Sequence, residues 1–467
     1  MIILYILNNI KINYMITKNI KNKVCILGIM VAICFSAKAQ NPLFPHIYTA
    51  DPSVHVWEND PNTLWVYASH DVPGTNHHAT MFDYHVFSTT DLKSWTDHGR
   101  VLSVDDVSWA ISHAWAIDAV LWKGTYYLVY GMKERATGMF RTGLATSQRP
   151  EGPFTDIGFI KGVEWGQDPA LFVDEDSQAY LFWGSSNSCF AAKLTDDLKA
   201  IVPETKIELT SQLTNVFEGP WVHKYQGKYY LSYPGLQNKQ WPEIMYYAVA
   251  DKPLGPYEYK GIYIPQFEKQ SGTNHGSIIK YKNNWLAFYH SAWISGVSES
   301  RNVMADFLEY DKKGAIKMIH PTKVGLGKSV CTILLEAENG KAAGGKLDGT
   351  QTADSQKGFT GRGYVTGFDI DEDYVKVLVQ LAKDEKFKLR IRYAAPKDTK
   401  INLIVNELMY NGSTSTWKDI VFPKSDNFNY FDVGIVNLRT GDNYIKLTSQ
   451  NGNINVDNFL LEPISEN

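Results

Sequence analysis

Cysteine is scarce. The 467-residue chain has 4, and two of them, Cys25 and Cys34, fall within its first 39 residues, which leaves Cys189 and Cys331 far apart in sequence. They can form one bridge at most, so a disulfide framework is excluded. An excess of charge is missing too. The 46 basic and 50 acidic side chains give a formal net charge of −4, which excludes a polybasic chain that coats nucleic acid, and 44% hydrophobic residues exclude a disordered one. Helical periodicity of any length is absent, as are a Gly-rich phosphate loop, a Gly-x-Ser-x-Gly elbow and zinc-type His/Cys spacing. The pair His77-His78 sits in a Gly-Thr-Asn loop and reads as rim or surface rather than as a metal centre. What the chain has in quantity is aromatic: 13% of its residues, with 27 Tyr and 13 Trp, rings that fill cores and also stack on sugars.

The first 39 residues hold five Lys and no acid, with an apolar run over 24–37 followed by Ala37-Lys38-Ala39. A basic region, a short apolar stretch and a small-x-small site predict a secretory signal peptide over 1–39, cleaved after Ala39. The run is short for a membrane span. The expectation is a secreted or periplasmic protein with no membrane span once the leader is gone. Without the leader the balance is 41 basic to 50 acidic, or −9, which argues against a nucleic-acid partner.

One pattern recurs along the chain: a polar residue, a short apolar strand, a turn with Gly, Asn or Asp, then an aromatic strand. Its copies begin at Asp51, Asp118, Asp168, Glu218 and His275, at intervals of 67, 50, 50 and 57 residues. The interval suits a blade of about four short strands, so five copies over 40–325 predict a five-bladed β-propeller. Near Gly325-Leu-Gly-Lys-Ser329 the aromatic density drops, and 12 of the 13 Trp lie before residue 300. Beyond the link come alternating strands such as Tyr374-Val-Lys-Val-Leu-Val-Gln-Leu381 and Phe387-Lys-Leu-Arg-Ile-Arg-Tyr393. Residues 331–465 therefore read as a β-sandwich of jelly-roll type, and the whole chain as all-β.

In a propeller the first strand of each blade faces the axis, so the five leading residues are expected to meet at one mouth of the channel. Four carboxylates and an imidazole drawn together repel one another and shift one another's pKa values. A lone Asp before a strand more often caps a turn or pairs with Arg, but five at the spacing of the repeat weaken that reading. Hydrolysis of a glycosidic bond uses such a group without any cofactor: one acid stays protonated for the leaving oxygen, while an ionised partner activates water. Of Trp57, Trp109, Trp115, Phe217, Trp221 and Trp293, two or three are expected at the pocket and the rest in the core.

Ala50-Asp51-Pro52, Trp115-Ala-Ile-Asp118, Gln167-Asp168-Pro169-Ala170, Phe217-Glu218-Gly219-Pro220-Trp221 and Asn274-His275-Gly-Ser277 together resemble glycoside hydrolase family 43 over residues 41 to about 325. That family consists of five-bladed propellers acting on arabinose- and xylose-containing polysaccharides of the plant cell wall. The resemblance implies inversion, with Asp51 as general base, Glu218 as general acid and Asp168 tuning the acid. Asp118, Trp115, Phe217, Trp221, His275 and Arg301 are then substrate-side positions, with His275 near an axial water or calcium. Ile117 departs from the family, which usually has Pro there. Ser69-His70-Asp71 looks like the members that remove α-L-arabinofuranosyl groups, β-D-xylosidase being the alternative on the same scaffold. A non-catalytic glycan-binding platform is the alternative from another class. Residues 333–463, through Leu335-Glu336-Ala337-Glu338-Asn339, Gly361-Arg-Gly-Tyr364-Val365 and Asn455-Val-Asp457, resemble carbohydrate-binding module family 6. This second resemblance implies a structural calcium at Glu336 and Glu338, glycan contacts from Tyr364 and Asn455, and a departure at Thr414, where a stacking Trp is usual. The chemistry itself requires no cofactor.

Overall fold

In the computed structural model of the protein, residues 41–75, 78–339, 345–370, 373–406, 415–449 and 454–464 are described; the expected leader, His77 and Thr414 lie outside them. Five antiparallel sheets follow one another along the chain. Their first strands are Thr49–Trp57, Ile117–Trp122, Ala170–Val173, Trp221–Tyr225 and Ser277–Tyr281. Each of these touches the first strand of the next sheet, and the fifth touches the first, which closes the ring of a five-bladed propeller. Every first strand pairs with the aromatic strand that follows it, as in Val54↔Val66, Leu171↔Leu181 and Ile278↔Ala287. These inner strands pack against those of the neighbouring blades and are mostly buried, even at polar residues such as Ser53 and Asp118.

Segments such as Asp83–Thr89 and Ile244–Ala250 form the third strands of their blades. In the fifth blade the described residues form three strands, ending at Asn302–Leu308. The chain just ahead of the first blade packs on that last strand: the Leu43 N–H donates to the Val303 carbonyl at 2.9 Å, and Leu43, Phe44 and Ile47 join the core shared with Phe288 and Ala305. The first and last blades are thereby fastened together.

The C-terminal region is a sandwich. One sheet holds Glu385–Ala395, Ser425–Leu438 and Asn455–Pro463; the facing five-stranded sheet holds Tyr374–Leu381, Thr399–Val405 and Gly441–Ser449. Inward residues of the two sheets, among them Val377, Leu389, Ile391, Leu403, Ile445 and Phe459, make its core. The sandwich is not an independent bead. Its first strand, Val330–Glu336, pairs antiparallel with Asn455–Pro463 on one side and parallel with the outer strand of the first blade, Ser94–Ser103, on the other, so one sheet runs through both regions. No helix among the described residues is long and apolar enough to cross a membrane.

Candidate active site

Breaks in the regular backbone at the cavity-side ends of the inner strands aim the acids. Asp51 and Asp168 have φ of 53° and 47° immediately ahead of Pro52 and Pro169, and Gly219, between Glu218 and Pro220, has φ of 60°. This left-handed backbone costs a residue with a side chain roughly 1–3 kcal/mol and is retained where the surroundings enforce it. At Gly219 a Cβ would lie 2.9 Å from Pro234 and 3.2 Å from the His275 ring, so no side chain fits.

Asp51, Asp168, Glu218, His275 and Arg301 all line one cavity of about 300 Å³ at the channel mouth. Asp51 and Asp168 are buried, whereas Glu218 is partly open to the cavity. Asp51 is held from several sides. Ser69 Oγ donates to its Oδ2 at 2.6 Å, and an Arg301 Nη lies 3.3 Å from its Oδ1. Its own N–H donates to His290 Nδ1 at 3.2 Å, while His290 Nε2 is 3.0 Å from the Thr273 carbonyl. A carbonyl only accepts, so His290 carries its proton on Nε2. Burial and the nearby Arg301 push its pKa down to about 3, and the ring stays neutral. Arg301 in turn is gripped by Asp71 through Nε and Nη, both at 2.9 Å.

The acids then diverge. Burial would push the Asp51 carboxyl up, but Arg301, with His290, His275 and the Ser69 hydroxyl, outweighs it and holds the group well below the ordinary carboxylate range. Glu218 has no such cation of its own; burial and the Asp51 charge raise it to about 7. Its carboxylate accepts from Gln167 Nε2 at 3.2 Å. Asp168 is raised well above its usual value by burial and by its neighbours Glu218 and Asp51. One ionised and one protonated carboxyl therefore share a cavity near neutral pH, the arrangement needed for paired base and acid catalysis.

Not every expected residue arrives there. Trp115 and Phe217 line the cavity, but Trp221 does not: it lies at the opposite mouth of the channel, its indole N–H directed at the Ile278 carbonyl. Asp118 is likewise displaced from the substrate side. Its oxygens are taken by Ser53 Oγ at 2.6 Å, His55 Nε2 at 2.8 Å and the Leu171 N–H at 2.5 Å, so it ties adjacent inner strands together below the cavity. Asp118 pairs regularly with Val129 inside its strand, Ile117–Trp122, whereas Asp51 sits where the pairing of its own strand is interrupted, between Ala50 and Ser53, with a left-handed backbone. Trp57 faces the lower channel, Trp109 donates to Asp156, and Trp293 lines a separate surface pocket, so two of the six aromatics reach the site.

The cavity also uses residues outside the repeat. Trp241 and Phe140 complete its aromatic walls, with Trp241 55% exposed and edge-on to Phe217. Glu243 is fully buried behind them, accepts the Asn274 N–H at 2.8 Å and is raised well above its usual pKa by burial and Glu218. A carboxylate heading the apolar run Ile244–Ala250 was the only sequence signal for it. Around His275 the described residues assemble no group of three metal-ligating side chains; the one such group is His70, Asp83 and His85.

In the sandwich Glu336, Glu338 and Asp457 are buried together. Thr360 Oγ donates to Glu336 at 2.8 Å, the Arg362 N–H donates to Glu338 Oε1 at 2.7 Å, and Arg392 pairs with Asp457. Glu338 Oε2 is buried without a partner. Tyr364 is not available for stacking. It is 3% exposed, packed against Phe359 and Phe428, and its hydroxyl is engaged by Ser355 and the Gln356 N–H. Asn455 Nδ2 donates to Gln356 at 2.6 Å.

A propeller that holds acids of opposite protonation in one cavity is the scaffold of a glycosidase, an enzyme hydrolysing O-glycosyl bonds. Residues 39–316 match the model of glycosyl hydrolases family 43, and the chain belongs to that family. It is 36% identical over 331 residues to xylosidase/arabinosidase 43A of Humicola insolens, covering 59% of this chain and 98% of that protein. A Bacteroides ovatus xylosidase/arabinosidase is 31% identical and covered over 95% of its length. Among solved structures, the GH43_1 enzyme from Xanthomonas citri superposes with a TM-score of 0.55 at 31% identity, over 61% of this chain and 95% of that one. Residues 336–464 match carbohydrate binding module family 35, which corrects the expected family 6. Tyr364, one carrier of that expectation, is a core residue here.

Proposed function

We propose that the protein is an exo-acting, inverting glycosidase that removes α-L-arabinofuranosyl groups from arabinoxylan or a related plant cell-wall hemicellulose. The observation that carries this reading is the opposite protonation of Asp51 and Glu218 on one cavity wall. Asp51, ionised beside Arg301, takes a proton from water as that water attacks the anomeric carbon. Glu218 donates its proton to the departing glycosidic oxygen, and the single displacement inverts the centre. Asp168, crowded against Glu218, keeps a proton within the pair near neutral pH. Trp115, Phe217 and Trp241 offer flat walls to sugar C–H faces.

The arabinofuranosyl preference is supported by arabinoxylan arabinofuranohydrolase of Paenibacillus polymyxa, 30% identical over 303 residues, although this chain covers 46% of that protein. A β-xylosidase of Xylanibacter ruminicola, 31% identical over 98% of its length, favours xylose as the second reading. Release of 4-nitrophenol from the α-L-arabinofuranoside and the β-D-xyloside, by wild type and Glu218→Gln, tests both. Faster wild-type turnover of the xyloside rejects the first reading, and no turnover of either rejects both in favour of a binding protein.

The sandwich acts as the carbohydrate-binding part. Glu336 and Glu338 would offer oxygen donors to a calcium ion, since Glu338 Oε2 has no other partner, while Asp457 is committed to Arg392 and Thr360; the ion would fasten the strand end and take no part in hydrolysis. The leader over 1–39 exports the protein, and the family 43 match begins at residue 39.

A further inference from the structure

A second buried polar cluster lies directly behind the Asp51 wall of the cavity. Ser69, in the strand Asp60–His70, and Asp71, just past its end, turn toward the cavity wall, where they hold Asp51 and Arg301, while His70 between them meets Asp83. There His70 Nδ1 meets Asp83 Oδ1 at 2.7 Å. Asp83 Oδ2 accepts the amide N–H of Gln380 at 3.1 Å, and the amide oxygen of Gln380 lies 3.0 Å from His85 Nε2. His85 Nδ1 and His46 Nε2 then share the two oxygens of Asp97, at 3.3 and 2.8 Å. His46, His70, Asp83, His85 and Asp97 are each 4% exposed or less. Asp83 also stands two residues after Met81, which lines the cavity and whose sulfur is 3.3 Å from an Arg301 Nη.

All of these residues belong to the first blade or the segment ahead of it, except one. Gln380 comes from the sandwich strand Tyr374–Leu381, and just beyond it the Ala382 N–H donates to the His46 carbonyl at 2.6 Å. We propose that the sandwich is part of the active-site scaffold and that Gln380 is a positioning residue for the Asp51–Arg301 pair. It acts by fastening Asp83 and His85, and through them the strand ends that carry Ser69, Asp71 and Met81. The inference rests on Asp51 being the base. Its physical ground is that one amide satisfies a buried acceptor and a buried histidine nitrogen at once. Without it both lose their partner in a dry site, and the cheapest relief is movement of the strand ends. Base catalysis is sensitive to position: a displacement of about 1 Å can cost about 10²-fold in rate. His70, Asp83 and His85 also bring ligand-type atoms within 4.8 Å of one another; hydrogen bonds engage Asp83, His70 Nδ1 and both ring nitrogens of His85, whereas His70 Nε2 is buried without a partner, so the test below also reads metal content.

The test compares the full-length wild type with Gln380→Leu, which keeps the volume and lacks the amide, and with Leu403→Ala, which opens the sandwich core away from the network. On whichever aryl glycoside the wild type cleaves, Gln380→Leu is expected to lower kcat about three- to tenfold with KM changed by less than about twofold, measured well below its melting temperature. Leu403→Ala is expected to melt earlier and keep the wild-type kcat. An unchanged kcat in Gln380→Leu overturns the proposal, as does an equal fall in Leu403→Ala at the same folded fraction. A stoichiometric transition metal found in the purified protein also overturns it, in favour of a metal clamp. A wild type inactive on every aryl glycoside instead brings down the glycosidase reading, and this inference with it.

Discussion

Two clusters of carboxylates among the described residues, one in each region, are built differently. In the propeller, Asp51, Asp168 and Glu218 arrive from three blades and stand in the wall of an open cavity. A single guanidinium, Arg301, serves Asp51, and Asp71 takes its other edge. In the sandwich, Glu336 and Glu338 lie two residues apart at one strand end, beside Asp457, and are roofed by the loop through Gly358, Thr360 and Arg362 and by Arg392. At Gly361 an added Cβ would sit 2.2 Å from a Glu338 oxygen, so the roof has no spare room. Yet burial raises Glu218 and Glu338 alike to about 7. A raised pKa therefore does not distinguish the two groups. Access does: an acid on a cavity can hand its proton to a ligand, whereas a roofed one can only exchange it for a cation.

The largest expected effect separates the groups outright. Glu218→Gln is expected to lower kcat by about 10²–10⁴-fold in steady-state assays, while Glu338→Gln leaves aryl-glycoside turnover unchanged; equal losses would erase the distinction. Glu218 must be protonated to act and its pKa is raised, so wild-type kcat/KM should fall as pH climbs through about 7. Next comes Arg301→Met, which strands Asp51 and Asp71 as buried charges and is expected to cost about 3–5 kcal/mol in chemical denaturation. On the sandwich side, calcium at about 100 times its dissociation constant should add about 2.7 kcal/mol of stability to the wild type, read as a higher melting temperature, and nothing to Glu338→Gln. The smallest expected effect is that of Trp241→Ala. Loss of one exposed stacking ring, about 0.5–1.5 kcal/mol, should raise KM for oligosaccharides roughly two- to tenfold and spare kcat on aryl glycosides.

The parts of the site legible in the linear chain were those the fold repeats. Asp51, Asp168, Glu218 and His275 stand at the cavity-side ends of equivalent inner strands, so a regular interval along the chain becomes a common place in space. Asp118 shared the interval and missed the cavity: it lacks the left-handed backbone of Asp51 and Asp168, pairs regularly with Val129, and its carboxylate is held by Ser53 and His55. Trp221, two residues past Gly219, is on the far side of the same turn. Glu243, His290 and Trp241 follow no interval; they come from loops and strand ends whose position depends on what packs against them. In the sandwich, alternation located strands such as Tyr374–Leu381, but Tyr364 could not be told from a binding aromatic until Phe428 was seen to cover it.

Composition, the five-fold interval and the four acids and one histidine that head the repeats were enough for an all-β propeller with hydrolytic chemistry, because period and residue type are local properties that survive in one dimension. Which acid is ionised, which aromatics face the sugar and whether the C-terminal region stands apart were decided only by folding. Each depends on contacts between residues hundreds of positions apart, such as Arg301 with Asp51 and Gln380 with Asp83. Electrostatic energy and burial follow distance in space, and the order of residues does not carry that distance.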